Sequence, residues 1–363
     1  MREIVIVIAD LYLEPDLVVA PAASSASGAT PGIDYLARFG DETALPDDWR
    51  AWTARWLGVP QFAREAPASV AAAAVADMLA GRSADTPADA PADAPAGRAL
   101  WLATPVHLMA GLTSVHFDRR SILRLPRAEL EELAASFANT FRGSGLELHP
   151  LEDGELLLSG PPLAAPATTT EPARMLLTPV AGALAAGPGA GALRRLGAEI
   201  EMWLYGHPLN AARARRGAPP VATLWVWGGG APGVSLPAPS REITDMAFGS
   251  DAYVRGLWRL AGGETRPMPV DWAAVIGESG AQRALGVVEV AELLHANASW
   301  SLADAAMEID RRWLSPSLEA LRRGALDRLQ LLANDRLLTL RAAHRWRLWR
   351  RVGRVRKGIE ALA

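Results

Sequence analysis

The chain has 363 residues, half of them apolar, with a formal net charge of −3 and no cysteine. That length and apolar content exclude a disordered tail and suffice for one large α/β domain or two smaller ones. The missing cysteines exclude disulfides, thiolate metal ligands and a cysteine nucleophile, in keeping with a reducing, cytoplasmic setting.

The opening run "REIVIVIAD" is a continuous Ile/Val stretch over Glu3–Ala9, the pattern of a strand buried on both faces, and Asp10 falls where it should end. It is too short and too flanked by charge for a signal peptide. "TPGIDYLARFG" follows with Pro31 as a helix start and Gly40 as a stop. "SVAAAAVADMLAG" is Ala-rich but interrupted by Asp77 and too short to cross a bilayer. Residues 82–97, "RSADTPADAPADAPAG", read as a low-complexity exposed loop.

From Trp101 the texture changes. "LTSVHFDRRSILRLP" holds short alternations around a turn, and "PRAELEELAASFANTFRG" is a helix with Leu130, Leu133, Phe137 and Phe141 on one stripe. "GLELHPLEDGELLLSG" is a hairpin around Asp153-Gly154, and "GALRRLGAEIEMWLYG" is a second amphipathic helix. Pro208 starts a short helix that Gly217 ends, and Val221–Trp227 is a strand whose Trp225 and Trp227 share one face and suit core packing. Three glycines, Gly228, Gly229 and Gly230, follow.

The last third alternates again: a helix in "SDAYVRGLWRLAG", a strand in "ALGVVEVAEL", a helix in "SLADAAMEIDRRWL" with Ser301 and Asp304 as a capping box, and a strand in "LDRLQLLAND". Arg341, Arg345, Arg347, Arg350, Arg351, Arg354, Arg356 and Lys357 then form a basic run with no acid among them. Such a run on an acidic remainder suits a protein partner, a contact with its own body or an anionic ligand; with no nucleic-acid motif beside it, direct nucleic-acid binding is the weakest of these readings. The fold class expected is α/β: a doubly wound, mostly parallel sheet formed by residues 1–103 and 222–363, with a smaller α+β domain, residues 104–221, inserted between them.

Several of these segments carry a family likeness. "HPLNAARARRG" leading into "LWVWGGG" resembles the archaeal-type, cofactor-independent phosphoglycerate mutases, as do "TPGIDYLARFG", "SVHFDRRSILRL" and "SDAYVRGLWRLAGG", in the same order along nearly the whole chain. "ATPVHL", "EIEMWLYGHPLN", "WVWGGG" and "RWRLWRR" together are similar to a bacterial group of regulatory proteins of the RpfE type.

The resemblance implies a sheet of the alkaline-phosphatase superfamily and phosphoryl transfer through a phosphoserine beside two divalent cations, manganese or zinc. Such a centre uses about six or seven donors. Asp10 matches the family's first metal ligand, and His107, His295 and Asp335 are the remaining candidates. No nucleophilic serine follows the "DYLARFGDE" segment, where only Thr43 and Thr53 carry hydroxyls, and the late Asp-His pair is replaced by Asp335-Arg336. Asn210, Arg213 and the glycines Gly228, Gly229 and Gly230 are the candidate phosphate-binding set: an Arg fork and a loop of small residues past a strand end.

The expectation is therefore a phosphoglycerate-mutase-like protein with an eroded dinuclear site, binding a phosphorylated small molecule without catalysis. Two alternatives stand beside it. One is an active metal-dependent mutase or phosphatase with a rearranged site, and the other an interaction module acting through the Arg/Trp-rich tail.

Overall fold

The computed structural model describes residues 2–12, 30–75, 97–111, 114–230, 245–270, 272, 275 and 283–343. The basic run past residue 343 and nearly all of the 82–97 segment lie outside them.

In chain order the elements begin with β1 (Glu3–Ile8), α1 (Pro31–Phe39), β2 (Asp41–Ala44), α2 (Trp49–Leu57) and α3 (Pro67–Ala72). Next come β3 (Ala99–Val106), β4 (Met109–Ala110), β5 (Val115–His116), α4 (Arg127–Thr140), β6 (Glu147–Pro150) and β7 (Leu156–Gly160). They are followed by α5 (Ala190–Tyr205), α6 (Pro208–Arg215), β8 (Thr223–Trp227), β9 (Met246–Phe248), α7 (Ala252–Leu260) and β10 (Thr265–Arg266). The last are β11 (Arg283–Val288), α8 (Val290–Ala296), α9 (Leu302–Ile309), α10 (Ser315–Arg322), β12 (Arg328–Ala333) and β13 (Arg336–Arg341).

These elements form two compact units. The first comprises Met1–Ala63, Glu242–Ser250 and Gly263–Ala363; the second, Arg64–Arg241 and Asp251–Gly262. The boundaries expected at 103/104 and 221/222 therefore do not coincide with the division. The first cuts through β3, and both β3 and β8 belong to one sheet of the second unit. The apolar run of β3 suits a strand covered on both faces, but periodicity says nothing about which sheet it joins.

The first unit is a mixed α/β layer on a seven-stranded, mostly parallel sheet of order β10-β9-β11-β1-β12-β13-β2. β1 lies between β11 and β12, parallel to both, with Val5 opposite Leu285 and Gln330. All six of its residues are buried, as its Ile/Val run requires. β12 turns directly into antiparallel β13 through Asn334 and Asp335, both with φ near +55°, the twin left-handed residues of a two-residue hairpin turn. Helix α1 starts at Pro31, but its first free amides are satisfied from far away: the buried Asp310 carboxylate accepts Ile33 N–H at 2.7 Å. Asp310 opens a π-helical stretch, Asp310–Leu314, that joins α9 to α10. Ile4, Ile6, Ile33, Leu36, Ile309, Trp313 and Leu329 make the core.

The second unit is built on a four-stranded antiparallel sheet, β6-β7-β3-β8, covered on both faces. Trp101 packs with Phe137 of α4, Ile200 and Leu204 of α5 and Leu224. Leu100, Leu102 and Trp227 point the other way, onto Ala68, Ala71 and Ala72 of α3 and Ala252 of α7. Trp225 is half-buried against that second cluster, so the two tryptophans serve the core as their spacing suggests. No helix among the described residues is long and apolar enough to cross a membrane.

Candidate functional site

In open α/β sheets, ligands bind past the carboxyl ends of the parallel strands. In the first unit that edge carries Asp10. It is buried, and its two oxygens accept the first amides of α8, Val290 N–H and Ala291 N–H, each at 2.7 Å. A carboxylate there is stabilised by the positive end of the helix and supplies its missing acceptors. The Asn334–Asp335 turn reaches the same edge, because Asn334 N–H donates to Leu11 O at 3.0 Å. Asp335 holds the neighbouring chain through its carbonyl, which accepts Leu45 N–H at 2.8 Å, and Arg336 beside it is paired with Glu42. His295 stands in the last turn of α8, about 7 Å along the axis from the turn that Asp10 caps.

His107 belongs to the second unit, following β3. Its Nδ1 lies 3.0 Å from Pro220 O and its backbone N–H donates to Ser121 O, so it ties three loop segments together. Among the described residues no three His, Asp or Glu side chains gather into a group able to hold a metal ion. Of the candidates Asp10, Asp335, His107 and His295, none belongs to such a group among the described residues, whereas a two-cation centre needs converging hard donors.

The candidate phosphate set is also used differently. Asn210 is a clamp: its amide donates to Leu204 O and Val221 O, both at 2.9 Å, and its carbonyl accepts Val221 N–H at 2.8 Å. Arg213 is buried, donates from Nε to Pro219 O at 2.7 Å, and forms an ion pair with Glu129 of α4, to which Arg216 also binds. The loop at 228–230 lies at the opposite end of β8. From Val221 to Gly228 an extended chain covers roughly 20 Å, so the two halves of the expected anion cradle do not meet. Two of the three glycine amides are engaged: Gly228 N–H donates to Thr169 Oγ1 at 3.2 Å and Gly230 N–H to Leu100 O at 3.0 Å. Gly229 is there for space, because a Cβ would overlap the Leu100 carbonyl of β3. The same motif residues that suit an anion loop thus serve a tight strand-to-loop packing.

His207 caps α6 as an acceptor, with Nδ1 3.2 Å from Leu209 N, and burial lowers its pKa, so the neutral ring is favoured.

The strongest titratable cluster was not evident in the sequence. Asp153, in the β6–β7 turn, accepts Ala252 N–H at 2.9 Å at the start of α7, and Glu155 N–H at 3.2 Å. Glu155 Oε1 accepts from Arg124 Nη1 at 2.9 Å and from Thr104 Oγ1 at 3.0 Å; that hydroxyl in turn accepts Trp227 Nε1–H. Asp251 caps α7 through Val254 N–H. Burial foremost, then the neighbouring Glu155 charge, pushes the Asp153 carboxyl up to about 7, against the opposing pull of Arg124. The "LEDGEL" stretch signals only a turn, and its partner Asp251 lies 98 positions further on.

No protein-family profile matches the chain, and no curated protein matches it either. Among solved structures it is similar to a cofactor-independent phosphoglycerate mutase from Thermoplasma acidophilum DSM 1728, at 16% identity and a TM-score of 0.36, over 94% of this chain and 90% of that one. It is also similar to the PH0037 protein from Pyrococcus horikoshii, at 14% identity and a TM-score of 0.47, over 99% of this chain and 92% of that one.

Proposed function

We propose that this protein is a phosphoglycerate-mutase-like α/β protein of the RpfE regulatory type that has an eroded metal site and performs no phosphoryl transfer. The order of the sequence motifs quoted above supports the mutase-like part. The observation that carries the non-catalytic part is the engagement of Asp10, whose two oxygens each hold an amide of α8. A divalent cation at that carboxylate would have to compete with two short charge-assisted hydrogen bonds without the converging donors that make a cation pair bind. A phosphorylated small molecule remains the ligand class that goes with this reading, but its site is not a joint cradle of Arg213 and the glycine loop.

The test is made on the purified full chain. Elemental analysis for manganese and zinc, a coupled assay of 3-phosphoglycerate isomerisation with added manganese, and calorimetry with 3-phosphoglycerate separate the readings. The expected result is sub-stoichiometric metal and no turnover, with any 3-phosphoglycerate binding independent of manganese. Manganese-dependent turnover that disappears in Asp10→Asn would overturn the proposal in favour of an active, rearranged enzyme.

A further inference from the structure

His207 occupies the bend between α5 and α6, and its hydrogen bonding commits the ring to one protonation state. Nδ1 accepts the Leu209 N–H at 3.2 Å, supplying an acceptor that the first turn of a helix otherwise lacks. A ring nitrogen that accepts carries no proton, so the neutral imidazole holds its proton on Nε2. Nε2 is buried and has no hydrogen-bond partner, and the residue as a whole is 6% exposed. Trp203 of α5 stands nearly perpendicular to the imidazole, with 5.2 Å between ring centres.

The elements packed around the ring bring little charge to it. α5 contributes Trp203, whose indole N–H donates to Ser136 Oγ of α4. α6 contributes Leu209 and Asn210, both uncharged. α4 contributes two carboxylates. Glu129 is taken up by Arg213 and Arg216, whereas Glu132 lies on the exposed side of the helix and is the charge that favours an imidazolium here. A second proton on the ring would have to go on Nδ1, where it would face the Leu209 N–H. Two donors cannot bond each other, so the cap would be lost and a cation would be left in the interior with two unanswered N–H groups.

We propose that His207 is a proton-operated catch for the α5–α6 bend: neutral, it caps α6; protonated, it releases the Leu209 N–H and turns outward to pair with Glu132, and the start of α6 loosens. The bend passes the change on. Asn210 N–H donates to His207 O, and the Asn210 side chain ties Leu204 of α5 to Val221 ahead of β8. Arg213, the next turn along, braces α4. The direction of titration agrees with the geometry, because burial, acting against the Glu132 charge, lowers the ring below its ordinary value of 6.5. A base lowered in the folded state contributes fully above its unfolded value near 6.5, and that contribution is lost as pH falls towards the folded value. The catch is closed at neutral and alkaline pH and opens in acid.

Two readings on the full chain test it. The first is an NMR titration with nitrogen-15-labelled histidine. The ring resonances that vanish in His207→Asn should titrate below 6.5. The second is hydrogen exchange of the 208–216 peptide, corrected for the intrinsic pH dependence of exchange. Its protection should fall by up to about tenfold per pH unit below about 6.5, the slope of one proton taken up by the opened form, and level off once the closed ring is protonated too. Peptides of β7 should keep their protection. His207→Asn should flatten the response, since an asparagine carbonyl caps a helix without titrating. Glu132→Gln, a change at an exposed position, should lower the His207 midpoint and move the loosening of α6 to lower pH; it carries the test if His207→Asn does not fold. A His207 midpoint at or above 6.5, α6 protection unchanged between about pH 7.5 and about pH 5, the same response in His207→Asn, or an unmoved midpoint in Glu132→Gln would overturn the catch.

Discussion

Glu129 of α4 and Arg213 of α6 form a buried ion pair, and the second oxygen of Glu129 binds Arg216. Arg213 is therefore a strut between two helices. Truncating one member of a buried pair strands the other charge, at a cost of about 3 to 5 kcal/mol. Glu129→Ala, which leaves both guanidiniums uncompensated, should destabilise more than Arg213→Ala, in which Arg216 still answers Glu129. Urea denaturation of the two variants checks the ranking. A double variant, Glu129→Leu with Arg213→Met, should recover most of the loss, because two apolar side chains of similar size leave no buried charge.

Gly229 and Gly217 separate two reasons for glycine. At Gly229 a Cβ would overlap the Leu100 carbonyl of β3, so the strand and the loop would have to part. Gly229→Ala should cost more than about 3 kcal/mol, at the upper end of overpacking penalties, or prevent folding. At Gly217, φ is +70° with nothing within 4 Å of the added carbon. Gly217→Ala should cost only about 1 to 2 kcal/mol, the strain of a left-handed residue with a side chain. Equal melting temperatures for the two variants would contradict this assignment.

Asp10 contributes to stability through α8. Asp10→Ala removes the acceptor of two buried amides and should cost about 2 to 3 kcal/mol. Asp10→Asn keeps one carbonyl oxygen in place and should cost less. The comparison is read from denaturant midpoints at unchanged slope. A change in slope would mean that the α8 region had come apart rather than weakened.

Local signals account for the parts of the fold that were legible. The Ile/Val run of β1, the Pro31 and Gly40 limits of α1, and the Ser301–Asp304 box each lie within a few residues and have one physical meaning. What escaped the sequence depends on distant partners. Asp310 satisfies Ile33 from 277 positions away, and Asp153 meets Ala252 across 99. The candidate site was harder still, because Arg213 and the three glycines would look the same in an anion loop as in the packing they serve. A motif states which side chains are present; only the fold decides whether Glu129 or a ligand faces the arginine.

Asp304 gives an acid-side counterpart to Asp153. Its carboxylate accepts the Ser301 backbone N–H and hydroxyl, both at 2.7 Å, while Ser301 Oγ accepts Asp304 N–H at 3.2 Å. Those bonds, the backbone one foremost, hold its pKa below the usual carboxylate value of 3.8. A depressed carboxyl stabilises the folded state above its unfolded pKa, and that contribution is lost as pH falls through the folded value. The pair is exposed, so solvent screens the electrostatic part and the cap bond itself sets the size of the effect. Ser301→Ala should cost about 1 kcal/mol at neutral pH. The gap between wild type and variant should begin to narrow as the pH drops below about 4, where the unfolded chain takes up the proton, and go on narrowing as it falls through the lower folded value. Thermal melts of the two proteins from about pH 3 to pH 7 measure it. A gap that stayed constant across that range would show that the reciprocal bond from Asp304 adds nothing to the cap.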